Sequence, residues 1–407
     1  MKIALATDNY WPRVSGMAVS IDTFRQALEA QGHEIHVLAP AYKGMDPDLD
    51  RKAGRRNVTR FRGHAFWVSR EDPLVWPSEM RPIYDLLDRC NPDVVHVQTE
   101  FTLGWMAGRW ARNNGVPLVA TFHTFWQDYL SNYATFLPRF VSRWLVKTMS
   151  CHIGAKADAV VAPTRRMRDV LLDYGVEAPI TVIPTGFQEA CFTGINRAQE
   201  KKASFLFEKH PELKGKQVLL TVGRIGKEKN HDFLVKVMDE LKVRNPDAMW
   251  LLVGDGPHLP QLQAMLKERG LRERAVLAGY LPREKVKHAF ALADVFMFAS
   301  KTETQGLVTV EAMSVGTPVV AVGEMGTRDV MNGDNGGFMM EEEVGPFAAK
   351  VHALLNDPAL HAAKSAEALR HARRWTSSAL AERLAGLYRS VSRQLPADTF
   401  GSFRAAA

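Results

Sequence analysis

Residues 295–322 read Val295-Phe296-Met297-Phe298, then Ala299-Ser300-Lys301-Thr302-Glu303-Thr304-Gln305-Gly306, then Leu307-Val308-Thr309-Val310-Glu311-Ala312-Met313-Ser314-Val315-Gly316-Thr317-Pro318, and end on Val319-Val320-Ala321-Val322. The two flanking runs are apolar without alternation, the pattern of strands buried on both faces of a parallel sheet. Parallel strands need a crossover, and the segment between them predicts a loop running into a helix that starts near Gly306. Glu303 then stands in the loop and Glu311 one or two turns into the next element. This strand, loop, helix and strand decide for an α/β fold.

The same pattern extends in both directions. Upstream in the second half, strands are expected at Val218–Val222, Leu251–Val253 and Ala275–Ala278. In the first half they are expected at Ile3–Ala6, Ile35–Leu38, Val94–Val97, Leu118–Thr121, Ala159–Val161 and Thr181–Ile183. Ala18 to Gln31 carries Ile21, Phe24 and Leu28 at helical spacing and stops at Gly32, which completes one strand, helix, strand unit. Two doubly wound domains follow, spanning 1–190 and 191–376. Gly186 to Lys202 loses the periodicity and is expected to be the linker. A closing helix over Ser377–Arg393, with Leu380, Leu384, Leu387 and Val391 on one side, is expected to return to the first domain, and the tail Asp398–Ala407 to fray. No internal repeat or low-complexity tract interrupts this reading.

The length of 407 residues agrees with two large domains, and 46% hydrophobic with 24% charged residues is the balance of an ordinary folded protein. No run approaches the roughly eighteen apolar residues that span a bilayer. The apolar run Ile3–Ala6 after Met1 and Lys2 is too short for a signal-peptide core, so a cytoplasmic protein is expected. Cys90, Cys151 and Cys191 are widely spaced, which argues against a disulfide framework or a cysteine zinc site. The formal charge of +7 leaves nucleic acid, an anionic membrane and a phosphorylated substrate open as partners.

In an open parallel sheet, ligands bind beyond the carboxyl ends of the strands, so the loops there carry the chemistry. The first, Asp8 to Met17, is too long and aromatic for a dinucleotide turn. Its Gly16 precedes a helix whose free N–H groups can hold a phosphate, although a plain helix-start glycine would read the same way. After Val218–Val222 comes Gly223-Arg224-Ile225-Gly226-Lys227-Glu228-Lys229-Asn230. A guanidinium fork at Arg224 and a compact ammonium at Lys229 together suit a diphosphate; a solvated basic loop is the alternative. Glu303 and Glu311 can accept hydrogen bonds from polyol hydroxyls, and Gln305, Gly306 and Leu307 can offer backbone N–H groups from the helix start. His123 follows Leu118–Thr121 at a strand's ligand edge. No His or Asp cluster has metal-ligand spacing, so no metal site is expected.

Taken together, these motifs resemble the retaining glycosyltransferases of the GT-B fold, family four. The resemblance rests on Gly16, His123-Thr124, Val222-Gly223-Arg224 through Lys229-Asn230, Val253-Gly254-Asp255-Gly256-Pro257, the pair Glu303 and Glu311, and Trp375. It implies two Rossmann-like domains facing a central cleft and a nucleotide-sugar donor. Arg224 and Lys229 would bind the donor diphosphate in place of a metal, and Glu311 the ribose. Glu303 with the Gln305-Gly306-Leu307 backbone would grip the hexose. Gly16 would let the backbone approach the donor, and His123 would touch the sugar near the reacting carbon. Ser15, Gln305 and Asp329, the last expected in the loop after Val319–Val322, depart from the commoner family residues without removing a charged group.

The branch that glycosylates diacylglycerol and phosphatidylinositol is the nearest in these motifs, and it implies UDP-glucose as donor and a membrane lipid as acceptor. Two basic segments point to an anionic membrane surface: Phe136–Met149, with Arg139, Arg143 and Lys147 on one helical face, and the acid-free run Arg51, Lys52, Arg55, Arg56, Arg60 and Arg62. A peripheral place on the membrane's cytoplasmic face is the corresponding expectation. A soluble or polyprenyl-linked glycan acceptor, or a sugar-nucleotide epimerase of the same architecture, are the alternatives. Nucleic acid is not expected, because the basic residues form no aromatic-interleaved motif.

Overall fold

The computed structural model describes residues 1–65, 73–99, 101–123 and 156–394. The basic segment Phe136–Met149, Thr124 of the His123-Thr124 motif, Cys151 and the tail beyond Gln394 lie outside the described residues. The chain divides into two compact units, one of residues 1–186 joined by the closing helix Ser377–Gln394, the other Phe187–Thr376.

The first unit is built on an eight-stranded sheet of order β4-β3-β2-β1-β5-β6-β7-β8. Its strands are β1 (Lys2–Ala6), β2 (Glu34–Ala41), β3 (Val58–Ala65), β4 (Pro73–Val75), β5 (Val94–Val97), β6 (Leu118–Thr121), β7 (Ala159–Ala162) and β8 (Ile180–Val182). All pair in parallel except β4, which runs antiparallel to β3. Side chains of β1 alternate between two apolar layers: Ala4 and Ala6 face one, Ile3 and Leu5 the other. The second layer is closed by Leu380, Leu384, Tyr388 and Val391 of the helix Ser377–Gln394, beside Ile21 and Leu28 of the helix Gly16–Ala30. The closing helix is thus part of the first unit's core although it follows the second unit in sequence.

The second unit carries a parallel six-stranded sheet of order β11-β10-β9-β12-β13-β14. Its strands are β9 (Gln217–Val222), β10 (Ala248–Val253), β11 (Ala275–Gly279), β12 (Val295–Phe298), β13 (Val319–Val322) and β14 (Gly337–Met340). β10 is buried throughout, with Met249, Leu251 and Val253 in one layer and Ala248, Trp250 and Leu252 in the other. Full burial of each large side chain contributes roughly 1.5–3 kcal/mol. Trp250, fully buried, also donates its indole N–H to Thr221 at 3.0 Å.

Two expectations need correction. Gly186–Lys202 is not a linker: Phe187 and Phe192 are buried edge-to-face at 5.6 Å, and Arg197–Ala203 is a helix. Arg197 anchors that helix by donating to Thr317 Oγ1 and, at 2.8 Å, to the Ala293 carbonyl. Isolated aromatics and one buried guanidinium hold the segment without any repeating period. The boundary accordingly falls between Gly186 and Phe187, not at 190. Asp329, expected in a loop, lies within the helix Met325–Val330.

Candidate active site

In each sheet the first strand of the unit sits inside, and the chain leaves it in opposite directions on either side. These topological switch points lie between β1 and β5 and between β9 and β12, where open sheets bind ligands. The residues expected to carry chemistry fall there.

In the second unit, the loops after β9 and β10 run side by side. Gly223 N donates to Val253 O at 2.9 Å and Ile225 N to Asp255 O at 2.9 Å. A Cβ on Gly254, whose φ is +142°, would come within 1.9 Å of the Gly223 carbonyl oxygen, so only glycine allows the approach. These loops border a pocket of about 400 Å³ lined by Arg224, Asp255, Tyr280, Leu281, Arg283 and Glu311 among others. Arg224 is solvent-exposed at its rim.

The loop after β12 brings Glu303 to Lys229, whose Nζ donates to Oε2 at 2.6 Å; the side chains are 25% and 22% exposed. Two groups assigned from sequence to different parts of a donor are therefore paired. Lys301 N donating to Glu228 O at 3.2 Å ties the same loop to the one after β9. Gly326 N donates to the Glu303 carbonyl at 2.9 Å. Gly306, with φ +65°, turns the chain into the helix Leu307–Ser314, and its carbonyl takes up Thr309 N at 3.0 Å, while Leu307 N and Val308 N precede any intrahelical acceptor. Just over one turn in, Glu311 takes a hydrogen bond from Arg283 Nη2 at 3.3 Å. Burial raises its carboxyl, Arg283 opposes the rise, and the charge of Glu303 adds to it, leaving Glu311 at about 7. This carboxylate is thus poised between its two protonation states near neutrality.

In the first unit, Asp8 is buried beyond β1 and accepts from Thr99 Oγ1 at 2.6 Å and from Leu103 N, in the first turn of the helix Thr102–Asn113, at 3.0 Å. This fixes the loop after β1 to the loop after β5. Further along, Ser15 caps the helix that begins at Gly16, its Oγ accepting from Ala18 N at 3.1 Å and donating to Asn9 Oδ1 at 2.7 Å. The serine that departs from the family pattern is therefore the N-cap. A Cβ on Gly16 would meet nothing within 4 Å, so packing within the protein does not demand glycine there. His123, beyond β6, donates from Nε2 to Gln98 Oε1 at 2.7 Å, and burial lowers it to about 4, so it is neutral at physiological pH. Ser20, Gln98 and His123 border one small pocket.

Arg224, Lys229, Glu303, Gln305, Gly306, Leu307 and Glu311 thus cluster in the second unit, while Gly16 and His123 belong to the first. Sequence reasoning missed Arg283, Tyr280 and Gln98; none stands in a motif, although each lies just beyond a strand, where the carboxyl-end rule points.

The basic run 51–62 is corrected by its partners. Arg60 is clamped by Asp50 through two 2.8 Å hydrogen bonds and stacks over Tyr10, Arg55 lies over Trp11 and 3.6 Å from Asp22, and Lys52 pairs with Asp46 at 2.6 Å. Asp50 just outside the run and Asp22 far from it draw Arg55 and Arg60 into an internal network supporting Tyr10 and Trp11. Arg51, Lys52, Arg56 and Arg62 remain exposed, Arg51 and Lys52 each beside a surface aspartate.

Two doubly wound units, with cations and paired carboxylates gathered at a switch point, define a glycosyltransferase of the GT-B class. The family described as Glycosyltransferase Family 4 matches residues 14–190, and that described as Glycosyl transferases group 1 matches residues 203–374. The α-monoglucosyldiacylglycerol synthase of Streptococcus pneumoniae is 31% identical over 361 residues, covering 88% of this chain and 79% of its own. A GDP-mannose-dependent α-(1-6)-phosphatidylinositol monomannoside mannosyltransferase of Mycolicibacterium smegmatis is 28% identical over 87% of this chain and 89% of its own. Among solved structures, a Rickettsia africae glycosyltransferase superposes with a TM-score of 0.72 at 17% identity, covering 97% of this chain and 98% of the other. The Anabaena HepE protein in complex with UDP and glucose gives 0.66 at 16% identity, covering 96% and 100%. The chain belongs to glycosyltransferase family four, and it is a hexosyltransferase.

Proposed function

We propose that the protein transfers glucose from UDP-glucose to a hydroxyl of a membrane lipid such as diacylglycerol, with retention of anomeric configuration and without a metal. The observation that carries the reading is the pairing of Lys229 with Glu303 beside Arg224 and Glu311 at the β9/β12 switch point, in a chain 31% identical to a monoglucosyldiacylglycerol synthase.

A donor diphosphate placed at Arg224 takes Lys229 from Glu303, exchanging one anion for another at the ammonium. The freed Glu303 carboxylate then accepts hydrogen bonds from hexose hydroxyls, so diphosphate and sugar binding are coupled through one ion pair. As the glycosidic bond breaks, negative charge grows on the leaving phosphate, where Arg224 and Lys229 stabilise it more than in the ground state. Glu311 accepts from the ribose hydroxyls. Neutral His123 meets the donor sugar without placing a cation beside an oxocarbenium-like centre. The acceptor hydroxyl attacks the anomeric carbon on the face that the nucleotide leaves, and its proton passes to the departing diphosphate as the new glycosidic bond forms.

Exposed Arg56 and Arg62 support peripheral attachment to an anionic membrane; among the described residues, no helix is long and apolar enough to cross one. The test is transfer from radiolabelled UDP-glucose to vesicles containing diacylglycerol, with and without a chelator. GDP-mannose and a water-soluble acceptor run in parallel, and the product anomer is read by NMR. Formation of an α-glucosyl lipid in the presence of chelator supports the proposal. Transfer to the soluble acceptor alone, chelator-sensitive turnover or a β-linked product would overturn it.

A further inference from the structure

Behind His123 in the first unit lies a buried polar chain that the sugar-transfer reading does not use. Tyr388 Oη lies 2.6 Å from His96 Nδ1, and Gln98 Nε2 lies 3.1 Å from the same nitrogen. His96 Nε2 lies 2.6 Å from Thr121 Oγ1, and Gln98 Oε1 lies 2.7 Å from His123 Nε2. His96, Gln98, Thr121 and Tyr388 are all buried. The proton positions follow from the chemistry of the groups. An amide oxygen can only accept, so His123 Nε2 must carry its proton and Nδ1 its lone pair. The amide nitrogen of Gln98 can only donate, so His96 Nδ1 is an acceptor whose single lone pair is shared by the Tyr388 hydroxyl at 2.6 Å and the Gln98 amide at 3.1 Å. His96 Nε2 then donates to Thr121. Each group has a partner in one consistent direction, and reversing the Gln98 amide would set an N–H₂ against the His123 proton or force both rings into the other tautomer.

We infer that Gln98 is a positioning residue for His123: its side-chain oxygen fixes the ring in the Nε2–H tautomer and orientation, while Tyr388 of the closing helix and His96 hold the Gln98 amide so that it cannot turn. The inference rests on His123 meeting the donor sugar. Placing the anchor on Tyr388 gives the closing helix a part in site geometry as well as in the core, because its apolar face alone would be satisfied by phenylalanine. Among the described residues, the ionisable groups in this chain are His96, His123 and Tyr388. Burial lowers His96 to about 3, as it lowers His123 to about 4, and raises Tyr388, so none of the three carries charge near neutrality.

The experiment combines histidine ¹⁵N NMR with steady-state kinetics on the full chain. The wild-type protein should show His123 as the Nε2–H tautomer and His96 likewise, with neither of these two rings titrating between about pH 5 and 8. Gln98→Leu should release the His123 tautomer signature and lower kcat roughly two- to tenfold, the worth of one neutral hydrogen bond expressed as a rate, with KM for the donor little changed. Gln98→Glu keeps the acceptor toward His123, gives up the donor to His96 Nδ1 and adds a negative charge, so His123 should begin to protonate within the assay range. Its activity should approach wild type at high pH and fall as pH drops, a profile that a merely structural role would not create. Tyr388→Phe should give a smaller loss in the same direction. An Nδ1–H tautomer in the wild type, or a Gln98→Glu profile superimposable on that of the wild type, would overturn the inference. His123→Ala is the separate control: unimpaired turnover in that variant removes the placement of His123 at the donor, whereas an inactive His123→Ala with unaltered Gln98 variants removes only the role of Gln98.

Discussion

The protonation of Glu311 makes a quantitative prediction about donor affinity. On the proposed reading, ribose hydroxyls donate to this carboxylate, so the nucleotide sugar would bind its ionised form and compete with the proton. With Glu311 at about 7, close to one-tenth of the groups are ionised at pH 6 and nine-tenths at pH 8. Affinity should therefore rise about tenfold across that interval, and the midpoint should lie near 7. A nucleotide sugar is the proper ligand, because its diphosphate is a diester and stays fully ionised over the whole range, unlike a terminal phosphate that titrates near 6. Titration calorimetry at pH 6, 7 and 8 measures the effect directly. Arg283 opposes the rise in Glu311, so Arg283→Ala should move the midpoint upward and weaken binding by the largest factor at pH 6 and the smallest at pH 8. Because Arg283 is 54% exposed, solvent screening keeps that displacement modest. Glu311→Gln should bind more weakly and show no pH dependence. An affinity that does not change between pH 6 and 8, or a dependence that survives in Glu311→Gln, would refute the reasoning.

Other consequences follow from the same geometry. Lys229→Ala and Glu303→Ala should each lower kcat by about a hundredfold or more while leaving the melting temperature within a few degrees, since the pair is partly exposed and its loss opens no core cavity; near-wild-type turnover in either variant would remove the assignment. Gly254→Ala, at φ +142° with the Gly223 carbonyl in its path, should cost about 2 kcal/mol or more of stability and reduce nucleotide affinity, read by thermal denaturation and calorimetry. In co-sedimentation with anionic vesicles at low salt, Arg56→Glu with Arg62→Glu should weaken binding. Arg60→Ala, by contrast, should lower stability through the loss of its Asp50 clamp, with little effect on vesicle binding.

Much of this protein could be read from sequence because the informative contacts are local. Non-alternating runs such as Val319–Val322 announce strands buried on both faces, and the short loops beyond them hold Arg224, Lys229, Glu303 and Glu311 within a few residues of a strand end. β3, β4 and β14 escaped for physical reasons: Val58–Ala65 carries Arg60 and Arg62 amid its apolar positions, β4 is three residues long, and β14 is a short strand at the sheet edge. The linker reading failed where Phe187 and Phe192 bury singly rather than periodically.

By itself, then, the sequence determined the α/β class, the two-unit plan and which side chains gather at the candidate site, since backbone geometry and strand periodicity act over a few residues. Tertiary structure alone decided which charges meet. Lys229 reaches Glu303 across 74 residues of chain, Arg283 reaches Glu311 across 28, and Tyr388 reaches His96 across 292. Such pairings depend on strand order and on how each crossover lays its loop against the next. They set whether Arg60 faces solvent or an aspartate, and whether Glu311 is ionised near neutrality. Burial and the neighbour across the sheet edge govern a charge, and neither is a property of the residues adjacent to it in the chain.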